Sequence, residues 1–313
     1  MFYRMITKKR DEWLAKDCPV AELIAYIDKQ GKLRDAQVDA IKTYLYLKIA
    51  CDNRPLAELF SKGVFNSLDL DELAIPMSTR EVLKSTPSLA ALYEYASMAD
   101  ESGSPLFPKV CQAILKDPKS VNAREFFNQV FYEVKYTDYL FSLPMGAGKT
   151  YLMAAFIYLD LYFAVNEPDN SAFAHNFMVF APSGLKASVV PSLKTIQRFD
   201  PAWIIPEPAA SELKRMLIFE VLDENSTAKK SNKIKNPNVQ KIAIHQPYES
   251  MMGFVAVTNA EKVILNRLTF ENGQIGIFDR ETNDKEERAA NELRHTIGKI
   301  PHLAVFIDEV HHA

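Results

Sequence analysis

The sequence predicts an α/β chain, a helical N-terminal region leading into a parallel sheet with helices on both faces. Three observations carry this. Apolar residues recur at three- and four-residue spacings before Tyr139; short apolar runs of strand length appear from Tyr139 onward; and ten or more residues separate those runs, enough for crossover helices. The boundary predicts a helical region over residues 1–138 and a sheet-bearing domain over residues 139–313.

Within the first region, helical spacing is present in Ala21 to Ile27, Val38 to Ile49, Leu89 to Met98 and Phe126 to Phe131. Ser78 followed by Glu81 fits a capping box, and Asn53 followed by Pro55 fits an N-cap with proline in the first turn. In the second region the strand candidates are Tyr139 to Leu143, Phe177 to Ala181, Leu217 to Phe219, Gly253 to Val257 and Leu303 to Ile307. Tyr151 to Val165 is apolar apart from Asp160; its 15 residues fall short of the ~20 that cross a bilayer, so it reads as a buried helix. Two polar stretches interrupt the pattern, Asp223 to Gln240 and Asp279 to Arg294, and the lysines from Lys229 to Lys235 read as a solvated loop.

Composition narrows the class. Lys and Arg number 37 against 40 Asp and Glu, a net charge of −3 that excludes a globally basic nucleic-acid coat. At 48% apolar and 25% charged, the chain has the make-up of a folded globular protein able to bury a core. Cys18, Cys51 and Cys111 are odd in number and widely spaced, which suggests neither a disulfide framework nor a zinc site. With no apolar segment behind the charged N-terminus, a cytoplasmic location without a membrane anchor is expected.

Leu143-Pro144-Met145-Gly146-Ala147-Gly148-Lys149-Thr150 joins a strand candidate to the buried helix, the context that a phosphate-binding loop requires. Gly146 and Gly148 let the backbone turn so that successive N–H groups face phosphate oxygens, and the helix adds its positive end. Met145 to Thr150 are therefore the nucleotide-holding residues, with Lys149 on the β and γ phosphates and the Thr150 hydroxyl on Mg²⁺. The strict pattern has glycine where this chain has Leu143.

Hydrolysis also needs a carboxylate for the metal and a base for the attacking water. Leu303 to Ile307 is followed at once by Asp308-Glu309-Val310-His311-His312, and adjacent carboxylates at a buried strand end are costly unless a cation compensates them. Asp308 is the expected metal ligand and Glu309 the expected base. His311 is expected to couple the γ-phosphate state to a neighbouring domain. With no cysteine nearby and no H-E-x-x-H spacing, the histidines do not read as a zinc site.

A phosphate loop followed 159 positions later by D-E-x-H resembles superfamily 2 helicases and translocases of the DEAD/DEAH-box type. The wording L-P-M-G-A-G-K-T, the I-D-E-V-H-H near the end and the approach from Ala290 are similar to the motor subunit of type III restriction enzymes, which carries a helicase/UvrB N-terminal domain. The resemblance runs from about Leu33 to Ala313 and implies a RecA-like fold, ATP and Mg²⁺ as ligands, and ATP hydrolysis that drives movement on double-stranded DNA. It assigns Gln37, in Leu33-Arg34-Asp35-Ala36-Gln37, to the adenine edge; 112 positions separate Gln37 from Lys149, which implies an inserted helical segment between Cys51 and Asp138. It assigns Ser183, Gly184 and Lys186 after one strand, and Thr258 and Asn259 after another, to the nucleic-acid backbone.

The resemblance further implies a second RecA-like domain supplying an arginine finger, and a modification methyltransferase subunit as partner. As it stands, the chain is expected to be an N-terminal part that binds nucleotide weakly and hydrolyses it poorly, with any endonuclease domain lying beyond it. Two other readings stay open: a nucleotide-gated module that binds DNA or protein without translocating, and a phosphate-loop ATPase unrelated to nucleic acid.

Overall fold

The computed structural model describes residues 1–16, 18–144, 146–182, 188–222, 240–259 and 291–308. They divide into two compact units, one of residues 1–24 and 38–142, the other of residues 25–37 and 143–313. The stretch 25–37, which holds Gln37, thus groups with the phosphate loop.

Helices come first, as the spacing predicts: α1 (Phe2–Lys16), α2 (Ala21–Gln30), α3 (Asp35–Leu45), α4 (Leu56–Ser61), α5 (Met77–Ser85), α6 (Pro87–Ser97), α7 (Pro108–Lys116) and α8 (Ala123–Val130). The first unit is built on an aromatic core. Phe60, Phe65 and Phe127 are fully buried, and Phe2 meets Phe60 edge-on at 4.8 Å and stacks on Tyr95 at 4.1 Å. Each such side chain contributes about 1.5–3 kcal/mol by leaving water, which is what holds short helices that would not persist alone. All three cysteines are free, and burial lifts the Cys51 thiol to about 11, so it stays protonated.

Two expected caps are not formed. Helix α5 starts two residues earlier than the Ser78 capping box requires, with Pro76 at the cap position and no side-chain cap bond. Asn53 does not cap α4 either; Pro55 stands there, and Asn53 has a left-handed backbone at φ 50°. In both places proline already sets the entry dihedral, leaving no N–H at that position to satisfy. One cap that does form in this unit is Asn122, whose side chain accepts from Glu125 N at 3.1 Å and donates to Glu125 Oε2 at 3.3 Å.

In the second unit, α9 (Lys149–Asn166) is buried from Leu152 through Leu161. Asp160 lies within that stretch at 0% exposure, and its carboxylate accepts from Ala174 N at 3.1 Å. Further helices are α10 (Val190–Arg198), α11 (Ala209–Met216) and α12 (Gln240–Ala243), and residues 291–297 are also helical. Strands β1 (Asn176–Ala181), β2 (Ile218–Val221), β3 (Phe254–Asn259) and β4 (Leu303–Ile307) form one all-parallel sheet in the order β2-β3-β1-β4.

Central strands β1 and β3 are buried along their whole lengths, which is why they read as unbroken apolar runs. Met178, Phe180, Phe254 and Ala256 pack on one face with Ile242, Leu293 and Ile300, while the alternating residues Phe177 and Val179 occupy the other. The buried Asn176 amide ties the strand entrances together: Nδ2 donates to Met251 O and Pro301 O, both at 2.9 Å, and Oδ1 accepts from Phe254 N at 3.1 Å.

The expected strand Tyr139 to Leu143 is absent from the sheet. Its two aromatic residues are taken up within the first unit, while Leu140 is exposed: Tyr139 packs on the helical core and donates its hydroxyl to Arg54 O at 3.1 Å, and Phe141 meets Tyr44 edge-on at 6.1 Å. Among the described residues β4 is therefore an edge strand, with Val305 at 49% and Ile307 at 41% exposure. No helix among the described residues is long and apolar enough to cross a membrane.

Candidate active site

The loop before α9 turns on two left-handed glycines, Gly146 at φ 74° and Gly148 at φ 80°. Gly148 is the N-cap of an 18-residue helix, so the first N–H groups of α9 have no intrahelical acceptors and carry the positive end of its dipole. Between the glycines, Ala147 is buried and its N–H donates to Pro144 O at 3.1 Å, closing the turn. Lys149 forms no ion pair or side-chain hydrogen bond among the described residues, so its ammonium has no carboxylate neutralising it there.

The start of α3 clamps this loop. Gln37 is 4% exposed; its Nε2 donates to Gly148 O at 2.9 Å and its Oε1 accepts from Arg34 N at 2.9 Å. The Arg34 guanidinium donates to Gly146 O. A Cβ on Gly148 would come within 2.8 Å of Gln37 Nε2, so the positive φ and the close amide both require glycine. Each Gln37 atom retains capacity for a second hydrogen bond, one N–H and one lone pair. Arg34 escapes sequence reasoning as a loop ligand, since it is one charged residue among several near a helix start.

Opposite the loop, Asp308 follows the last residue of β4. The Thr150 hydroxyl lies 3.4 Å from Asp308 Oδ2, and Asp308 N donates to Phe180 O at 2.9 Å, which anchors the residue to the neighbouring strand. Two residues 158 positions apart in sequence thus present a hydroxyl and a carboxylate to the same space. This pair fits a divalent cation of the Mg²⁺ type, which takes few protein oxygens and fills its remaining positions with water and phosphate. No cluster of three or more His, Cys, Asp or Glu suited to a metal occurs among the described residues, so a cage made by protein alone is not formed there.

Other expected residues stand differently. Thr258 and Asn259, at the end of β3, are 0% and 8% exposed and lie in register with Phe180 and Ala181. They stand at the C-terminal end of a central strand, as the sequence places them, with both side chains covered. Met145, Ser183, Gly184, Lys186, Glu309 and His311 lie outside the described residues.

No family model matches the chain, and comparison with curated proteins and with solved structures finds no match.

Proposed function

We propose that the chain is the nucleotide-binding part of a motor ATPase acting on DNA, with a RecA-like domain, on the analogy of the type III restriction motors. The observation that carries the reading is the approach of Thr150 Oγ1 to Asp308 Oδ2 at 3.4 Å, beside an ammonium and a loop of left-handed glycines at a helix start. A loop of this kind holds phosphate through backbone N–H groups, and its lysine adds the charge that backbone dipoles lack. Thr150 and Asp308 would hold Mg²⁺, which when bound neutralises phosphate charge as it develops. Gln37, already braced on Gly148, would spend its free N–H and lone pair on the adenine edge. Glu309 would orient the attacking water, and His311 would relay the state of the site to a second domain.

The parallel sheet supports this reading as a class, because ligands of open α/β sheets gather at strand C-termini, where Asp308 lies. The remaining parts of the proposal are a cytoplasmic setting, double-stranded DNA as track and a methyltransferase partner. The test is ATP turnover, with and without duplex DNA, by a chain extended through a second motor domain. DNA-stimulated turnover that Glu309→Gln abolishes while sparing binding is the expected result. DNA binding without stimulation would favour a nucleotide-gated module, and indifference to DNA would favour an ATPase of another kind.

A further inference from the structure

The helical unit contains a cavity of about 420 Å³ that plays no part in the nucleotide site. It lies between α4 and α8 and the segment after α8, and three cations line it, Lys62, Arg124 and Lys135, against one carboxylate, Glu58. Lys62 is bound to Glu58 at 2.5 Å, and Arg54 approaches the same carboxylate at 3.4 Å. That carboxylate is therefore satisfied from its own helix surroundings. Arg124 and Lys135 are exposed and form no ion pair or side-chain hydrogen bond among the described residues. Glu125, beside Arg124, is engaged by Asn122 and Gln129 instead.

Two more features point to an anionic ligand. Ser61 lines the cavity at 8% exposure, and its Oγ is enclosed with no hydrogen-bond partner. A helical serine would ordinarily bond back to the preceding turn; an unspent hydroxyl behind a cationic wall is a donor that a phosphate oxygen would use after a small rotation. Asn128 adds an exposed amide to the same wall. The segment that carries Lys135 also holds Tyr132 at 89% and Tyr136 at 70% exposure, and Tyr132 and Glu133 adopt left-handed backbone at φ 54° and 55°. Backbone in that region costs energy for residues with a side chain, and here it accompanies a tyrosine held almost wholly in solvent.

We propose that this cavity binds the backbone phosphates of a single nucleic-acid strand, with Arg124, Lys135 and Asn128 on phosphate and Tyr132 and Tyr136 stacking on bases. Cations that follow the backbone, together with aromatic faces that accept any base, are the chemistry of sequence-tolerant strand binding. Free polyphosphate shares the phosphate chemistry but has no base to stack on tyrosine, so the two sources are separable. The site does not rest on the nucleotide loop and would stand if the ATPase reading fell.

The test uses the full chain and a labelled oligothymidylate, with affinity read by anisotropy across a salt series. Arg124→Ala combined with Lys135→Ala is expected to weaken binding and to make the slope of log affinity against log salt shallower by about 1.4, at about 0.7 for each single-strand phosphate that is no longer neutralised. Tyr132→Ala combined with Tyr136→Ala is expected to weaken binding about tenfold or more while leaving that slope unchanged. Ser61→Ala should lower affinity without loss of thermal stability. Circular dichroism on each variant confirms the fold, and Mg·ATP binding should be untouched in all of them. Unchanged strand affinity and slope in the Arg124/Lys135 variant would overturn the proposal, as would tripolyphosphate binding that the variant loses while strand binding persists.

Discussion

The loop before α9 and the cavity between α4 and α8 are both cationic, yet they are made differently. At the loop, backbone supplies the geometry: two left-handed glycines, the start of an 18-residue helix, and a single lysine. At the cavity, long side chains supply the charge, and one of the three cations is already held by Glu58. A site made of backbone is compact and fixed, suited to one small, highly charged group; a site made of exposed side chains is adaptable, suited to a repeating backbone. That difference is also why only the first announces itself in sequence. Glycines at fixed offsets before Lys-Thr leave a local signature, whereas Lys62, Arg124 and Lys135 come from distant positions that only folding assembles.

The largest expected effect lies in that fixed geometry. Lys149→Ala should weaken Mg·ATP binding about a hundredfold, within the range of about 1.5–3 kcal/mol for a lost charge-assisted hydrogen bond, as read by titration with a fluorescent ATP analogue. It should leave thermal stability nearly unchanged, because Lys149 has no partner among the described residues to lose. Next come the glycines, which sharpen the role of shape. Gly146→Ala meets nothing within 4 Å and should cost only the left-handed backbone penalty, roughly 1–2 kcal/mol. Gly148→Ala carries the same penalty and also crowds Gln37 Nε2 at 2.8 Å, so it should lower the melting temperature further.

Gln37→Ala is of comparable size. It strips Gly148 O and Arg34 N of their side-chain partner, and should cost about 1–3 kcal/mol of stability. If Gln37 also reads adenine, the variant loses preference for ATP over GTP; unchanged preference with lower stability would leave it a brace alone.

The smallest effect is a pH dependence away from both sites. Burial, followed by the nearby His302 ring, pushes His175 below its ordinary value of 6.5. The unfolded chain then takes up the proton more readily than the folded one, so the stabilisation is complete above that value and is lost as pH falls below it. Melting temperature should fall more steeply below about pH 6.5 in the wild type than in His175→Asn, with the reference range taken from the ordinary histidine value; parallel curves would place the acid sensitivity elsewhere.

Much of the fold was legible because burial imposes simple patterns. The runs at Phe177 to Ala181 and Gly253 to Val257 are apolar throughout since β1 and β3 are covered on both faces. Tyr139 to Leu143 has the same texture but a different fate, with Tyr139 and Phe141 packed in the helical unit; composition records that a residue is buried, not against what. Ser78 and Asn53 mislead for a related reason, because proline nearby sets the helix entry before a side chain can. At the site, Thr150 and Asp308 were legible as separate motifs, and the fold adds their 3.4 Å approach. Arg34 and the bracing role of Gln37 were not legible, since they depend on hydrogen bonds made across 111 positions or more.

The most direct measurement is a double-mutant cycle in Mg·ATP affinity with Thr150→Val, Asp308→Asn and the combined variant, all checked for folding. If the two oxygens serve one cation, each single change should weaken binding and the combined change should add little, leaving a coupling of about 0.5–3 kcal/mol that vanishes when Mg²⁺ is removed. Strictly additive losses, or no ATP binding by the folded wild-type chain, would contradict a shared nucleotide-metal site at the end of β4.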